Sequence, residues 1–253
     1  MPRVKALTFD LWDTLIVDDS DEPKRAAQGL PPKPRARRDL VADALNLNTS
    51  EERRLLDCAY DTVDAAARHA WYQYSTTWTV RERLEVLLRG LNRSLPASVL
   101  ERLVDQHERM ELEVRPDVVP GAESALQTLA ERYPLVIISD TLFSPGWALR
   151  KLLESYGLAR YFSGFVFSDE LGRAKPDPTT FQKAAELAGC RLEEIVHIGD
   201  REEKDIAGPI AVGARGILFT AVKDRGSATT RAAAVCREFA SLPQIIDALD
   251  REP

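Results

Sequence analysis

At 253 residues the chain is long enough for one large domain, or for a core domain with a smaller insert, and either can bury a real core. Its 44% hydrophobic and 29% charged residues are ordinary for a soluble globular protein. The net charge of -6 argues against non-specific binding to nucleic acid or an anionic membrane. Cys58, Cys190 and Cys236 lie far apart and form no CxxC pair, which points away from a zinc site or a disulfide framework. The first residues lack the apolar core of a signal peptide, and no run of about 18 apolar residues occurs. A cytoplasmic location is expected.

Val4 to Phe9 reads as a short apolar strand ending at Asp10. Asp18 to Arg38, rich in Pro, Asp, Lys and Arg, reads as an exposed loop or linker. Helical patterns follow at about Asp39–Leu47, Glu51–Tyr74, Val80–Leu91 and Ala97–Glu113, with no convincing strand among them. In the last, Val99, Leu100, Leu103 and Val104 have the spacing of one buried face. Trp71, Tyr72, Tyr74 and Trp78 are expected to pack the core of this helical module, and His69 and His107 to lie on its surface.

Four more strand-like runs come next: Leu135–Ile138, Gly164–Phe167, Ile195–Ile198 and Gly216–Phe219. His197, inside the third of these, reads as a satisfied core histidine, and Glu202 and Glu203 as solvated. A closing helix places Leu242, Ile245, Ile246 and Leu249 on one face. Short buried strands separated by helical patterns predict an α/β fold: a Rossmann-like parallel sheet core with helices on both faces, plus an inserted all-helical module. The expected division is residues 1–17 and 115–253 for the core and 18–114 for the insert.

Four segments place polar residues just beyond an apolar run: Phe9-Asp10-Leu11-Trp12-Asp13-Thr14-Leu15, Ser139-Asp140-Thr141, Lys175-Pro176-Asp177-Pro178, and Gly199-Asp200 with Asp205. Parallel α/β sheets bind ligands outside the carboxyl ends of their strands, so these segments are expected to converge. Clustered carboxylates repel one another unless protonated or neutralised by a cation. Asp10, Asp200 and Asp205 supply hard oxygen ligands suited to Mg²⁺. Ser139 and Asp140, with nearby backbone amides, are candidates for the phosphate site, and Lys175 adds a positive point charge. Asp10 is then free to attack and form an acyl intermediate.

In order and spacing these segments resemble the four motifs of the haloacid dehalogenase superfamily: FDLWDTL the nucleophile motif, IISDT the Ser/Thr motif, GRAKPDPTTF the lysine motif and VHIGDREEKD the acidic motif. The helical insert after the first motif is similar to the family's C1 cap. The resemblance implies Asp10 as nucleophile and metal ligand, the Trp12 carbonyl as a second ligand, and Asp200 as a third. Asp205 would bind the metal directly or through water. Ser139 and Lys175 would bind phosphate, with Lys175 holding Asp10 ionised. It implies Mg²⁺ as cofactor and a small phosphorylated metabolite as substrate, with no nucleic-acid or membrane partner, acting as a monomer or homodimer.

One position departs from the family's phosphatases. They carry an aspartate two residues after the nucleophile as general acid and base, and here Trp12 stands there, followed by Asp13 where glycine is common. Asp13 is therefore a candidate acid as well as a candidate turn cap. The family's dehalogenases also have an aromatic residue at that place, but tend not to keep the Asp200/Asp205 pair. Three readings follow: a phosphomonoester hydrolase, a 2-haloacid dehalogenase using Asp10, and a weakly active protein that binds a phosphorylated ligand.

Overall fold

The computed structural model describes residues 3–251. Six strands form one parallel sheet: β1 (Ala6–Phe9), β2 (Leu135–Ser139), β3 (Gly164–Phe167), β4 (Ile195–Gly199), β5 (Arg215–Phe219) and β6 (Ala234–Cys236), in the order β3-β2-β1-β4-β5-β6. The strand order reverses beside the first strand, the crevice where open α/β sheets bind ligands. β6, absent from the sequence reading, is a three-residue edge strand with only Cys236 buried, too short to carry a periodic signal.

Side-chain alternation along the strands builds two core layers. Leu7, Phe9, Leu135, Ile137, Val196, Ile198, Ile217 and Phe219 join one apolar cluster. Helices α7 (Ala122–Ala130), α8 (Gly146–Ser155) and α12 (Leu242–Arg251) cover that layer. Val136, Ile138 and Ile195 turn the other way, where α10 (Pro178–Ala188) brings Phe181 and Ala184 onto the sheet. Asp177 caps α10 by accepting from the Thr179 amide, Pro178 opens its first turn and Gly189 closes it at φ +66. Short helices α9 (Ser168–Leu171) and α11 (Gly208–Ala211) follow β3 and precede β5.

Between β1 and β2 the chain is helical: α1 (Glu22–Ala27), α2 (Lys33–Ala44), α3 (Ser50–Tyr74), α4 (Val80–Gly90), α5 (Ala97–Glu108) and α6 (Met110–Glu113). These helices bury their own apolar cluster, including Val41, Leu56, Val63, Leu84, Leu87 and Leu103. Capping boxes at Thr49/Glu52 and Thr79/Glu82 set the starts of α3 and α4. No helix among the described residues is long and apolar enough to cross a membrane.

Two expectations fail here. The stretch 18–38 is not an exposed loop: it holds α1 and the start of α2, and buries Asp21, Arg25, Lys33 and Arg37. Those charges pair inward, Lys33 Nζ donating to Asp21 Oδ1 at 2.7 Å. His107 is not at the surface. It is 1% exposed because Leu103 and Tyr60 satisfy both ring nitrogens, at 2.7 and 2.9 Å. His69 is exposed, as expected.

Candidate active site

Asp10 follows β1 directly, its amide donating to the Ile198 carbonyl at 2.8 Å, so the sheet ladder itself aims it. Ser139 ends β2, and Asp200 follows β4. After Asp200 the chain makes a π-helical turn, Glu202–Ala207, which carries Lys204 and Asp205 back toward Asp10. Gly199 makes room for it, since a Cβ there would lie 2.4 Å from Asp205 Cγ.

Lys175, 2% exposed, donates from Nζ to Asp10 Oδ1 and to Asp205 Oδ1, each at 2.6 Å. Asp205 also accepts from His197 Nε2 at 3.1 Å and from the Arg201 amide at 2.9 Å. His197 Nδ1 in turn takes the Thr8 hydroxyl at 2.8 Å, so this buried histidine is satisfied and orients Asp205. Burial opposes the charge on Asp205, but Lys175 and His197 hold its carboxyl well below the usual range. Burial likewise disfavours the ammonium of Lys175, and Asp10, Asp205 and Asp140 overcome it and raise its pKa. Burial raises the Asp10 carboxyl to about 7; Lys175 acts against the rise, while Asp205 and Asp200 add to it.

Ligand atoms of Asp10, Asp200 and Asp205 lie within 4.8 Å of one another. Asp200 accepts from Arg225 Nε at 2.5 Å through Oδ2, while its buried Oδ1 has no hydrogen-bond partner among the described residues and faces Arg201 Nε at 3.8 Å. On Asp10, Oδ2 receives only a 3.4 Å contact from Thr14. Two carboxylate oxygens are thus left over where the negative charge is densest, and the donor set fits a hard divalent cation.

The cavity over this cluster has a volume of about 250 Å³. Its lining draws Asp10, Trp12, Asp140, Lys175, Lys204 and Asp205 from the sheet domain's loops, and Asp18, Lys33, Arg37, Trp71 and Glu111 from the helical segment between β1 and β2. Ser139 is buried at the end of β2, and its hydroxyl makes only a 3.5 Å contact with the Asp140 carbonyl.

Two candidates point elsewhere than expected. The carboxylate of Asp140 is a brace: Oδ1 accepts from the Lys175 amide, and Oδ2 accepts from Trp71 Nε1 and Lys204 Nζ. The carboxylate, an acceptor only, positions Lys175, Trp71 and Lys204 and offers phosphate no donor of its own. Asp13, 1% exposed at φ 55, turns away from the cavity. Its Oδ2 accepts from Lys223 Nζ and Arg225 Nη2, both at 2.8 Å, and its Oδ1 accepts from the Asp18 amide.

Trp71 is not core packing of the helical module. It ends α3 against Asp140, with Lys204 Nζ 3.7 Å from its ring centroid. Lys204, Arg225 and the wall formed by Lys33, Arg37 and Glu111 escaped the sequence reading. Lys204 stands beside Asp205, inside the acidic motif, and Arg225 lies beyond β5; both positions were signals.

The profile of haloacid dehalogenase-like hydrolases matches residues 4–213, and the chain belongs to that family of enzymes. Among its relatives, glyceraldehyde 3-phosphate phosphatase of Pyrococcus furiosus is 27% identical over 254 residues, covering 100% of this chain and 95% of that one. The 5-amino-6-(5-phospho-D-ribitylamino)uracil phosphatase YigB of Escherichia coli is 28% identical over 222 residues, 83% of this chain and 81% of that protein. In fold, the chain is similar to 2-haloacid dehalogenase from Pseudomonas syringae pv. Tomato DC3000. The TM-score is 0.70 at 23% identity, over 97% of this chain and 99% of that one.

Proposed function

We propose that the chain is a Mg²⁺-dependent phosphomonoester hydrolase working through an aspartyl-phosphate on Asp10. The observation that carries this reading is the buried Lys175 clamped between Asp10 and Asp205, beside a buried Asp200 oxygen that accepts no hydrogen bond. Asp10, Asp200, Asp205 and the Trp12 carbonyl would hold the metal, Asp205 through water because its own oxygens are already taken. When bound, Mg²⁺ would shield the incoming phosphate from the carboxylates. Lys175 opposes the burial that raises the Asp10 carboxyl and so favours its ionised, attacking form. Ser139 and the neighbouring amides, with Lys175, receive the phosphoryl oxygens. Residues 18–114 act as a cap that closes the pocket over a small phosphorylated metabolite, and the phosphatases among the relatives support that substrate class.

Trp12 favours a second reading, a 2-haloacid dehalogenase, because halide leaves without a proton. That reaction needs no metal and leaves the Asp200 arrangement without a purpose. The test assays p-nitrophenyl phosphate and 2-chloropropionate, each with Mg²⁺ and with chelator, on wild type and Asp10→Asn. Phosphate release that requires Mg²⁺ and falls below a few per cent in the variant is expected. Halide release in chelator would replace the first reading with the second, and an active Asp10→Asn would sink the mechanism.

A further inference from the structure

Alkyl phosphates need an acid at the leaving oxygen, and the cavity narrows the choice. Trp12 occupies the position two residues after the nucleophile, and an indole cannot protonate an alkoxide at neutral pH. Asp13 is consumed by Lys223 and Arg225 outside the cavity. Asp140 is consumed by Trp71, Lys204 and the Lys175 amide, and Asp205 by Lys175, His197 and the Arg201 amide. Glu111 accepts from Ser144 Oγ at 2.5 Å and faces Lys33 and Arg37, each at 3.4 Å. Asp19 pairs with Lys33 at 3.2 Å, its side chain 69% exposed.

Asp18 differs from all of these. It lines the same cavity as Asp10 and Lys175, and among the described residues its carboxyl makes no hydrogen bond and no ion pair. Its backbone is anchored, the Asp18 amide donating to Asp13 Oδ1 at 3.2 Å and the Val17 amide to the Asp117 carbonyl at 2.8 Å. The charged groups around it are Asp19 on its own loop, Asp13 from the nucleophile loop, Lys33 from α2 and Lys223 from beyond β5. Burial raises its carboxyl to about 6, with Asp19 and Asp13 adding and the two lysines opposing. A group so placed is still partly protonated near neutral pH, where general acids work best.

Resting on the phosphatase reading above, we propose that Asp18 is the general acid and base of this site. As an Asp10 oxygen bonds to phosphorus and the phosphorus–oxygen bond to the leaving group breaks, the Asp18 carboxyl gives its proton to the departing oxygen. The Asp18 carboxylate then takes a proton from water as the water oxygen bonds to phosphorus. The phosphorus–Asp10 bond breaks, and inorganic phosphate and both free carboxyl groups are restored.

The test compares first-turnover rates by rapid quench, with Mg²⁺, for wild type and Asp18→Asn on ethyl phosphate and p-nitrophenyl phosphate. General acid catalysis is worth about 10²–10⁴-fold, so the variant should lose about that factor on ethyl phosphate. On the aryl ester, whose leaving group needs no proton, it should lose less than tenfold and then stall after one nitrophenolate per enzyme. Asp18→Glu should restore part of the alkyl rate. Equal losses on both esters, or no loss on ethyl phosphate, would overturn the assignment while leaving the phosphatase reading intact. A wild type that hydrolyses neither ester would remove that reading, and this inference with it.

Discussion

Lys175 is the residue on which the site's electrostatics turn. At 2% exposure its ammonium is shared by two carboxylates at 2.6 Å, and it is the ordered cation that both Asp10 and Asp205 use. Breaking a buried ion pair from one side typically costs about 3–5 kcal/mol, because the remaining charge is stranded. Lys175→Met strands two. Urea unfolding near pH 7 should therefore show a stability loss of at least about 3 kcal/mol, partly recovered on acidification as Asp10 takes up a proton. A loss below about 1 kcal/mol would mean that the pair is already relieved by water or another cation. Asp13 and Asp18 show how local the decisions are. They stand five positions apart in one loop, yet Asp13 is locked between two cations and Asp18 is left free at the cavity wall.

At the level of elements, the turn Glu202–Ala207 that follows β4 places Asp205. The Asp205 amide donates to the Arg201 carbonyl at 2.7 Å, an i to i−4 bond as in any helix start, while the Asp205 carboxylate accepts the Arg201 amide, so the side chain is folded back over the beginning of the turn. That turn packs on Gly199, where a Cβ would meet the Asp205 carboxylate at 2.4–2.7 Å. Gly199→Ala must displace Asp205 or shift the end of β4, and overpacking of this kind costs about 1–3 kcal/mol. Displacing a group that orients metal ligands weakens metal binding by about 10–100-fold. Calorimetric titration with Mg²⁺ should show a loss in that range; an unchanged affinity would place Asp205 outside the metal site.

For the whole molecule, the helical segment and the sheet meet at Trp71, Lys204 and Asp140, while the segment keeps its own core around Tyr60 and His107. Burial holds His107 at about 4, below its ordinary 6.5. Between those values the unfolded chain binds a proton that the folded chain refuses, so stability is complete above about pH 6.5 and is lost as pH falls toward 4. His107→Gln removes that proton uptake. Between pH 7 and 4.5 the wild type should lose roughly 2–3 kcal/mol more than the variant. Parallel pH profiles from chemical denaturation would show that His107 is protonated in the fold.

The α/β class and most strands were legible because buried parallel strands are apolar runs, as in Leu135–Ile138 and Ile195–Ile198, and each is followed by the polar residue it presents. The edge strand β6 and the helices within residues 18–38 were not. Their burial comes from partners far along the chain, as when Lys33 meets Glu111. The sequence alone pointed to the meeting of Asp10, Lys175, Asp200 and Asp205, since the strands of a parallel sheet present their carboxyl ends on one side. Only the tertiary structure decided which carboxylates are free. Ion pairs such as Arg225 with Asp13 and Asp200, or Lys204 with Asp140, join distant segments whose spacing leaves no local pattern. What a carboxylate can do depends on which cation reaches it first.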